Sequence, residues 1–154
     1  MGLLKYTTKI DADKTANEIA KCLSMHGASA ILTDYDSGVL SAISFKISLR
    51  GQSLAFRLPC DWRPVLAVLT KGKKNPYLWD EEKKQRWESE WRLQAVRTAW
   101  RIVKDWVEAQ MALVETQMVT TQEVFLPYAV MRDGRTLSQH VAADPGLLLG
   151  DGKN

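Results

Sequence analysis

Residues 79–118 read WDEEKKQRWESEWRLQAVRTAWRIVKDWVEAQMALVETQM, a stretch without glycine or proline. Such a stretch predicts one continuous helix from Asp80 to Met118, which would be about 55–60 Å long at the usual rise of about 1.5 Å per residue. Asp80 and the two glutamates that follow it suit the positive end of the helix dipole. We therefore expect the remainder of the chain to fold around this helix.

The N-terminal half predicts a small antiparallel sheet. The clearest strand is Val39–Arg50, in which apolar side chains alternate with small and basic ones. Shorter β-rich runs predict further strands at Tyr6–Ile10, Ser29–Tyr35 and Ser53–Leu58, and helical spacing predicts a helix at Asp13–His26 between the first two. The predicted fold class is α+β, with a β-α-β-β-β sheet packed on helices and one long helix in the C-terminal half.

A second helix is predicted directly after the long one. Thr120 and Glu123 have the spacing of a capping box, in which each side chain satisfies a backbone N–H at the start of a helix. Pro127 is expected to kink or shorten this helix, because proline lacks the backbone N–H that a helix interior requires. The tight connection at Met118 predicts a capped helical hairpin.

Length and composition suit a single domain. The chain has 154 residues, and 45% of them are hydrophobic, which is enough for a core. The predicted organisation is one α+β domain at residues 1–141, with a βαβββα part at 1–70 and a helical part at 80–131, followed by a tail at 142–154. Because residues 1–25 have no continuous apolar run, we expect no membrane partner and a cytoplasmic protein.

The long helix has a wide apolar arc. Between Leu93 and Val114 the charged side chains fall within a wedge of roughly 100°, and most of the remaining arc is apolar. A helix that covers a single sheet needs an apolar stripe of little more than about 100°. The excess predicts a homo-oligomer, in which a second copy covers part of the helix. The predicted interface residues are Trp87, Trp91, Trp100, Val107 and Met111.

The sequence lacks the signatures of common active sites. It contains no HExxH, CxxC, GxSxG, Walker A or GxGxxG motif. His26 and His140 each lack a companion at metal-ligand spacing, and Cys22 and Cys60 are predicted to be reduced thiols. We therefore predict no metal, no cofactor and no enzymatic activity.

One candidate binding surface is the outer face of the predicted sheet. Lys46, Arg50 and Arg57 are predicted to project from that face among small side chains. Long cations around small residues can hold a phosphate or a base, particularly where a subunit boundary closes over them. The alternative is an ordinary solvated sheet face.

A second candidate is the loop before the long helix. Lys73, Lys74 and Tyr77 combine positive charge with an aromatic ring, and Lys71 and Trp79 extend the same pattern. Single-stranded nucleic acid and nucleotides are often bound by such loops. The alternative is a basic linker whose aromatic side chains pack on the long helix.

Three motifs carry a resemblance to a known family. They are FRLP at Phe56–Pro59, AVRTAWRIVKDWVEAQMALVE at Ala95–Glu115 and VFLPYAV at Val124–Val130. With them the chain resembles a family of small uncharacterised bacteriophage and prophage proteins, over most of residues 5–137. The resemblance implies a small phage accessory protein in the host cell cytosol, but it assigns no functional residues.

These observations favour a non-enzymatic binding protein. The leading hypothesis is an oligomeric phage protein that sequesters a small anionic, nucleotide-derived ligand such as an antiviral immune signal. One alternative is a nucleic-acid-binding protein that uses the loop at Lys71–Trp79. Another is a protein–protein inhibitor or adaptor that acts through the long helix.

Overall fold

The computed structural model describes residues 2–5 and 7–150, and these residues form a three-stranded sheet and five α-helices. In chain order the elements are α1 (Ala12–Met25), β1 (Ala28–Asp36), β2 (Val39–Leu49), β3 (Gln52–Pro59), α2 (Arg63–Leu69), α3 (Glu81–Glu115), α4 (Thr121–Phe125), a 3-10 helix (Leu126–Tyr128), α5 (Leu137–Ala143) and a second 3-10 helix (Pro145–Leu147). The predicted α+β class and the long helix are confirmed. Of the helices within the described residues, none is long and apolar enough to cross a membrane.

The sheet is an antiparallel meander with the order β1-β2-β3. Two tight turns join its strands, and both central residues of each turn have positive φ: 51° and 79° at Ser37 and Gly38, and 50° and 77° at Arg50 and Gly51. Turns of this kind match the right-handed twist of the strands that they connect. Arg50 was predicted to lie on a strand, and this prediction is wrong, because Arg50 is the first central residue of a turn.

The first predicted strand, Tyr6–Ile10, is not observed. Thr7–Ile10 are irregular, and Tyr6 lies outside the described residues. The nearby backbone carbonyls bond to α3 instead of to a neighbouring strand: Gln94 Nε2 donates to the Thr8 carbonyl at 2.9 Å, and Thr98 Oγ1 donates to the Lys5 carbonyl at 3.4 Å. The sheet of the described chain therefore has three strands, and the N-terminal segment lies along the long helix.

The core lies between the inner face of the sheet and α3. The largest fully buried side chain is Trp100, whose indole N–H donates to the Leu40 carbonyl of β2 at 3.2 Å. Phe125 of α4 contacts Phe45 and Phe56 of the sheet, with ring centroids 5.0 and 6.1 Å apart. Helices α1, α2 and α4 also pack on α3, so the protein's own elements cover much of its apolar arc.

Three of the predicted interface residues belong to this core. Trp100, Val107 and Met111 are 1%, 0% and 2% exposed, so they cannot present a surface to a second copy in this conformation. The prediction is wrong for these three because it gave the arc beyond the sheet to the capped C-terminal helix and a second copy, and did not count the packing of α1 and α2 on α3. Trp87 and Trp91 are half-buried near the start of the helix, and their part in an oligomer stays a prediction.

The capping box is confirmed, and the helix that it begins is short. Thr120 Oγ1 accepts from the backbone N–H of Glu123, and the Glu123 carboxylate accepts from that of Thr120. After Phe125 the chain continues as a 3-10 helix that contains Pro127, which is the shortening expected of proline. Thr136 and Gln139 form a second capping box at the start of α5 that was not predicted.

The segment between the first 3-10 helix and α5 lies beside β3. The backbone N–H of Val130 donates to the Ala55 carbonyl at 2.8 Å, and Phe56 forms an isolated antiparallel bridge with Ala129. The segment then turns at Gly134, which has a φ of 85°, before α5 begins. This arrangement satisfies backbone groups at the edge of β3 that would otherwise remain unpaired.

Candidate functional site

The structure brings together only some of the basic residues predicted on the outer sheet face. Lys46 is exposed on β2, between Ala30 and Ala55 on the neighbouring strands. Arg57 is half-buried, and its guanidinium donates to the Gly134 carbonyl at 3.3 Å. Arg50 lies in the turn beyond the end of β2. Because Arg57 holds the segment beside β3 in place, Lys46 is the one residue of this set that projects freely from the face.

The loop residues lie against the start of α3. The Lys73 ammonium lies 5.2 Å from the Trp91 ring centroid, a distance at which a cation is attracted to an indole. Tyr77 lines a cleft of about 210 Å³ with Trp87 and three charged residues of α3. Lys74 is exposed, and Trp79 is 83% exposed. The loop aromatics therefore pack only in part on the helix.

A larger cleft lies where the first sheet turn, the end of β3 and the start of α2 meet α3. We call it the Trp62 cleft, and its volume is about 590 Å³. Volumes of roughly 300–1,000 Å³ are typical of small-molecule sites. The lining residues are Asp36, Ser37, Val39, Leu40, Ser41, Pro59, Cys60, Asp61, Trp62, Arg63 and Arg92.

Arg92 of α3 is the notable charge of this cleft. Its guanidinium carbon lies 5.8 Å from the Trp62 ring centroid. Among the described residues it has no ion pair and no hydrogen bond, whereas Arg63 is held by the Asp61 carboxylate at 3.0 Å. A guanidinium has five N–H donors in a planar fork that suits carboxylates and phosphates. Arg92 can therefore bind an anion without first breaking an ion pair.

The titratable groups of the Trp62 cleft do not suit catalysis. Burial raises the pKa of the Cys60 thiol to about 12, and the negative charge of Asp61 adds to this effect. Because the thiolate is the nucleophile of cysteine chemistry, a thiol that stays protonated is unreactive. The backbone N–H of Arg63 bonds to Asp61 and lowers the pKa of that carboxyl, so Asp61 is a stable carboxylate and not a proton donor.

A second cleft lies on the other side of Val39 and Leu40. We call it the Tyr35 cleft, and its volume is about 550 Å³. The lining residues come from α1, the first sheet turn and α3: Asp11, Ala12, Asp13, Lys14, Asn17, Tyr35, Gly38, Val39, Leu40, Ser89, Arg92, Leu93 and Val96. The Tyr35 hydroxyl donates to the Asp13 carboxylate at 2.9 Å, and this hydrogen bond raises the pKa of Tyr35.

Metal and acid–base chemistry find little support elsewhere. Within residues 2–5 and 7–150, no group of three or more histidine, cysteine or acidic side chains could hold a metal ion. His140 bonds to Asp133 at 3.0 Å, and the same carboxylate accepts from the backbone and side chain of Arg135. The hydrogen bond from His140 lowers the pKa of Asp133 well below its usual range. The contacts of Asp133 with His140 and Arg135 are better explained as structural contacts that hold α5 to the turn before it.

Sequence reasoning missed Arg92 and Trp62. Both lie outside any motif, and they are 30 positions apart in the sequence. Trp62 follows the end of β3, while Arg92 lies on α3, so only the packing of α2 on α3 brings them together. A usable signal is the run Asp61-Trp62-Arg63, in which an aromatic ring stands between two charges at the start of a helix.

Comparison with protein-family models, with curated proteins and with solved structures found no match. The resemblance to bacteriophage proteins therefore stays a prediction from the three sequence motifs. The two clefts and the charge of Arg92 are the structural features that bear on function.

Proposed function

We propose that the protein is a non-catalytic binding protein that captures a small anionic, nucleotide-derived ligand in the Trp62 cleft. The observation that carries this proposal is Arg92, whose guanidinium lies in the cleft beside an indole ring and forms no ion pair within residues 2–5 and 7–150. The phage setting and the host cytosol suggested by the sequence motifs remain part of the proposal, with an antiviral immune signal as the ligand.

The chemistry of the cleft suits such a ligand. The guanidinium supplies charge for a phosphate, and the Trp62 indole beside it is an aromatic surface on which a base can stack. The Ser41 hydroxyl donates to the Asp34 carbonyl at 3.1 Å and keeps lone pairs for a ligand donor. Cys60 and Asp61 contribute no reactive group, which favours capture of the ligand over its conversion.

Isothermal titration calorimetry with mononucleotides, cyclic nucleotides and ADP-ribose tests the proposal. We expect binding that Arg92→Ala weakens about 10–100-fold, because a hydrogen bond to a charged group contributes about 1.5–3 kcal/mol. Arg92→Lys should restore part of the affinity. Arg86→Ala is the matched control, since Arg86 lies on the same helix outside this cleft.

Two outcomes would overturn the site or the function. Binding that survives Arg92→Ala but is lost in Arg57→Ala would move the site to the outer sheet face. A panel without any binding would remove the proposal altogether. The Trp62 cleft is built within one chain, so the proposal does not require an oligomer. Homo-oligomer formation through Trp87 and Trp91 stays a separate prediction, which the solution mass from light scattering tests.

A second candidate function is binding of single-stranded nucleic acid by the loop before α3. The observation that favours it is the exposure of Trp79, at 83%, next to the exposed Lys71 and Lys74. Stacking of bases on such an aromatic ring contributes about 1–3 kcal/mol per base. Gel shifts at low and high salt test it, and Trp79→Ala should abolish the complex. Absence of any shift at low salt would exclude this function.

A further inference from the structure

The two clefts share one wall. Val39, Leu40 and Arg92 line both of them, so the clefts lie on either side of a ridge formed by the start of β2 and the earlier turns of α3. The ridge is fixed in the fold, because Leu40 is 3% exposed and its carbonyl accepts a hydrogen bond from the Trp100 indole N–H. Arg92 is therefore at the boundary of two cavities of similar size.

The two clefts also have similar chemistry. Each has an aromatic side chain, Trp62 in one and Tyr35 in the other, and each has carboxylates that can accept hydrogen bonds. Tyr35 is 55% exposed, so its ring is accessible to a ligand. Aromatic rings stack on bases, and carboxylates and amides bind sugar hydroxyls and exocyclic amino groups.

Two of the other cations near the ridge are already engaged. Arg97, about one turn after Arg92 on α3, donates to the Asp11 carboxylate at 2.7 Å. Arg63 is held by Asp61 in the Trp62 cleft. Arg92 is thus the guanidinium left for a ligand at the place where the two clefts meet. Lys14 lines the Tyr35 cleft alone, so Arg92 is the positive group that the two clefts share, and a shared positive group fits one anionic group between two aromatic side chains.

We propose that the ligand of this site is a dinucleotide, with its phosphate linkage on Arg92, one nucleoside in the Trp62 cleft and the other in the Tyr35 cleft. This inference rests on the proposed function and adds to it the class of ligand. The geometry that carries it is the shared arginine between two aromatic cavities. A mononucleotide would fill only one of them.

Calorimetry with ligands of one and two rings tests this assignment. The one-ring probes, which carry one base, are AMP and ADP. The two-ring probes, which carry two bases, are diadenosine diphosphate and NAD. We expect the two-ring probes to bind at least about tenfold more tightly, because the second ring binds at a high effective concentration once the first is held. Trp62→Ala should weaken the probes of both kinds.

The Tyr35 cleft is tested by variants that leave the Trp62 cleft intact. Tyr35→Ala should reduce the affinity for the two-ring probes to that for AMP and leave AMP binding unchanged. Asn17→Ala provides a second variant, since Asn17 is an exposed residue of α1 that lines the same cleft. Leu32→Ala is the control, because Leu32 is an exposed residue of the same strand as Tyr35 and lines neither of the two clefts.

The possible outcomes separate this inference from the function on which it rests. If AMP binds as tightly as the two-ring probes, the two-cleft assignment is wrong and capture of an anion by Arg92 stands. The same holds if Tyr35→Ala and Asn17→Ala both leave two-ring binding unchanged while Trp62→Ala lowers it. If none of the probes binds, the dinucleotide assignment falls, and failure of the wider nucleotide panel would remove the proposed function with it.

Discussion

The two halves of α3 have the same helical backbone and different surroundings. Every buried residue of this helix lies between Ala95 and Met111, and none lies in its first fourteen residues, Glu81–Gln94. The difference is visible in its arginines: Arg97 and Arg101 form ion pairs with the N-cap and the body of α1, whereas Arg92 forms none with any residue that the structure describes. One helix is thus core in its later turns and accessible surface in its earlier ones.

The same contrast separates the tryptophans. Trp100 is 1% exposed and donates to the sheet, whereas Trp87 and Trp91 are half-buried and contact one another, with ring centroids 6.1 Å apart. Their sequence surroundings are alike, since all three belong to one glycine-free run. The three tryptophans differ in whether the sheet and α1 pack against the side chain.

The largest expected change in stability concerns the environments of Trp100 and Trp87. Trp100→Ala should lower the free energy of unfolding by about 3–5 kcal/mol, because it leaves a cavity and an unpaired Leu40 carbonyl. Trp87→Ala should cost less than about 1 kcal/mol, because it removes a side chain that solvent already reaches. Urea denaturation followed by circular dichroism measures both values. Equal losses in the two variants would show that the early turns of α3 are also core.

The sequence predicted the parts of the fold that depend on local signals. The capping box at Thr120 needs only two residues three positions apart, and the alternation of the strand Val39–Leu49 is visible within the strand itself. The strand expected at Tyr6–Ile10 required a neighbour, and for Thr7–Ile10 the hydrogen-bonding neighbour is α3. Local β propensity does not specify which element lies alongside.

The site was less accessible to sequence reasoning than the fold. Counting the apolar faces of the long helix located its apolar arc correctly. The count assigned Trp100, Val107 and Met111 to a second copy, because a sequence does not say how many elements of the same chain cover a face. Arg92 was missed for a related reason. Its place in the proposed site comes from the absence of an ion pair or hydrogen bond among the described residues, and such partners are a property of tertiary packing.

An intermediate effect is expected for the ion pairs that join α1 to α3. The Glu18 carboxylate contacts both Arg101 and Lys104, whose side chains are only 12% and 14% exposed. Glu18→Ala leaves these cations without that partner, so the free energy of unfolding should fall by about 1–3 kcal/mol. The control is Glu82→Ala in the early turns, where the pair with Arg86 is exposed and contributes at most about 0.5 kcal/mol.

The losses of stability caused by Glu18→Ala and Glu82→Ala should also differ in their dependence on salt. Pairs of exposed charges are screened over about 8–10 Å at physiological ionic strength, whereas partly buried pairs are screened less. The loss caused by Glu18→Ala should therefore persist in 0.5 M NaCl, at about the same size, while any loss from Glu82→Ala should vanish. A Glu18 effect that disappears in salt would place the α1 contact on the surface.

The smallest expected effect concerns the last turn of α3 and is a dependence on pH. His26, at the end of α1, donates from Nδ1 to the Cys22 carbonyl at 2.6 Å, and its Nε2 lies 2.7 Å from the Glu115 carboxylate. The hydrogen bond to Cys22 is the main cause that raises the pKa of His26 above its usual 6.5, and Glu115 adds to it.

The sign of the pH dependence follows from the raised pKa. The protonated imidazole is bound more favourably in the folded protein, so its stabilisation is complete below about pH 6.5 and is lost as pH rises through the folded-state value. His26→Gln should remove this dependence. Glu115→Gln should only reduce it, because the Cys22 carbonyl remains. Urea denaturation between pH 5.5 and 8.5 measures the slope, and an NMR titration of the His26 ring measures the pKa directly. A flat profile in the wild-type protein would show that this contact does not hold the end of α1 to the late turns of α3.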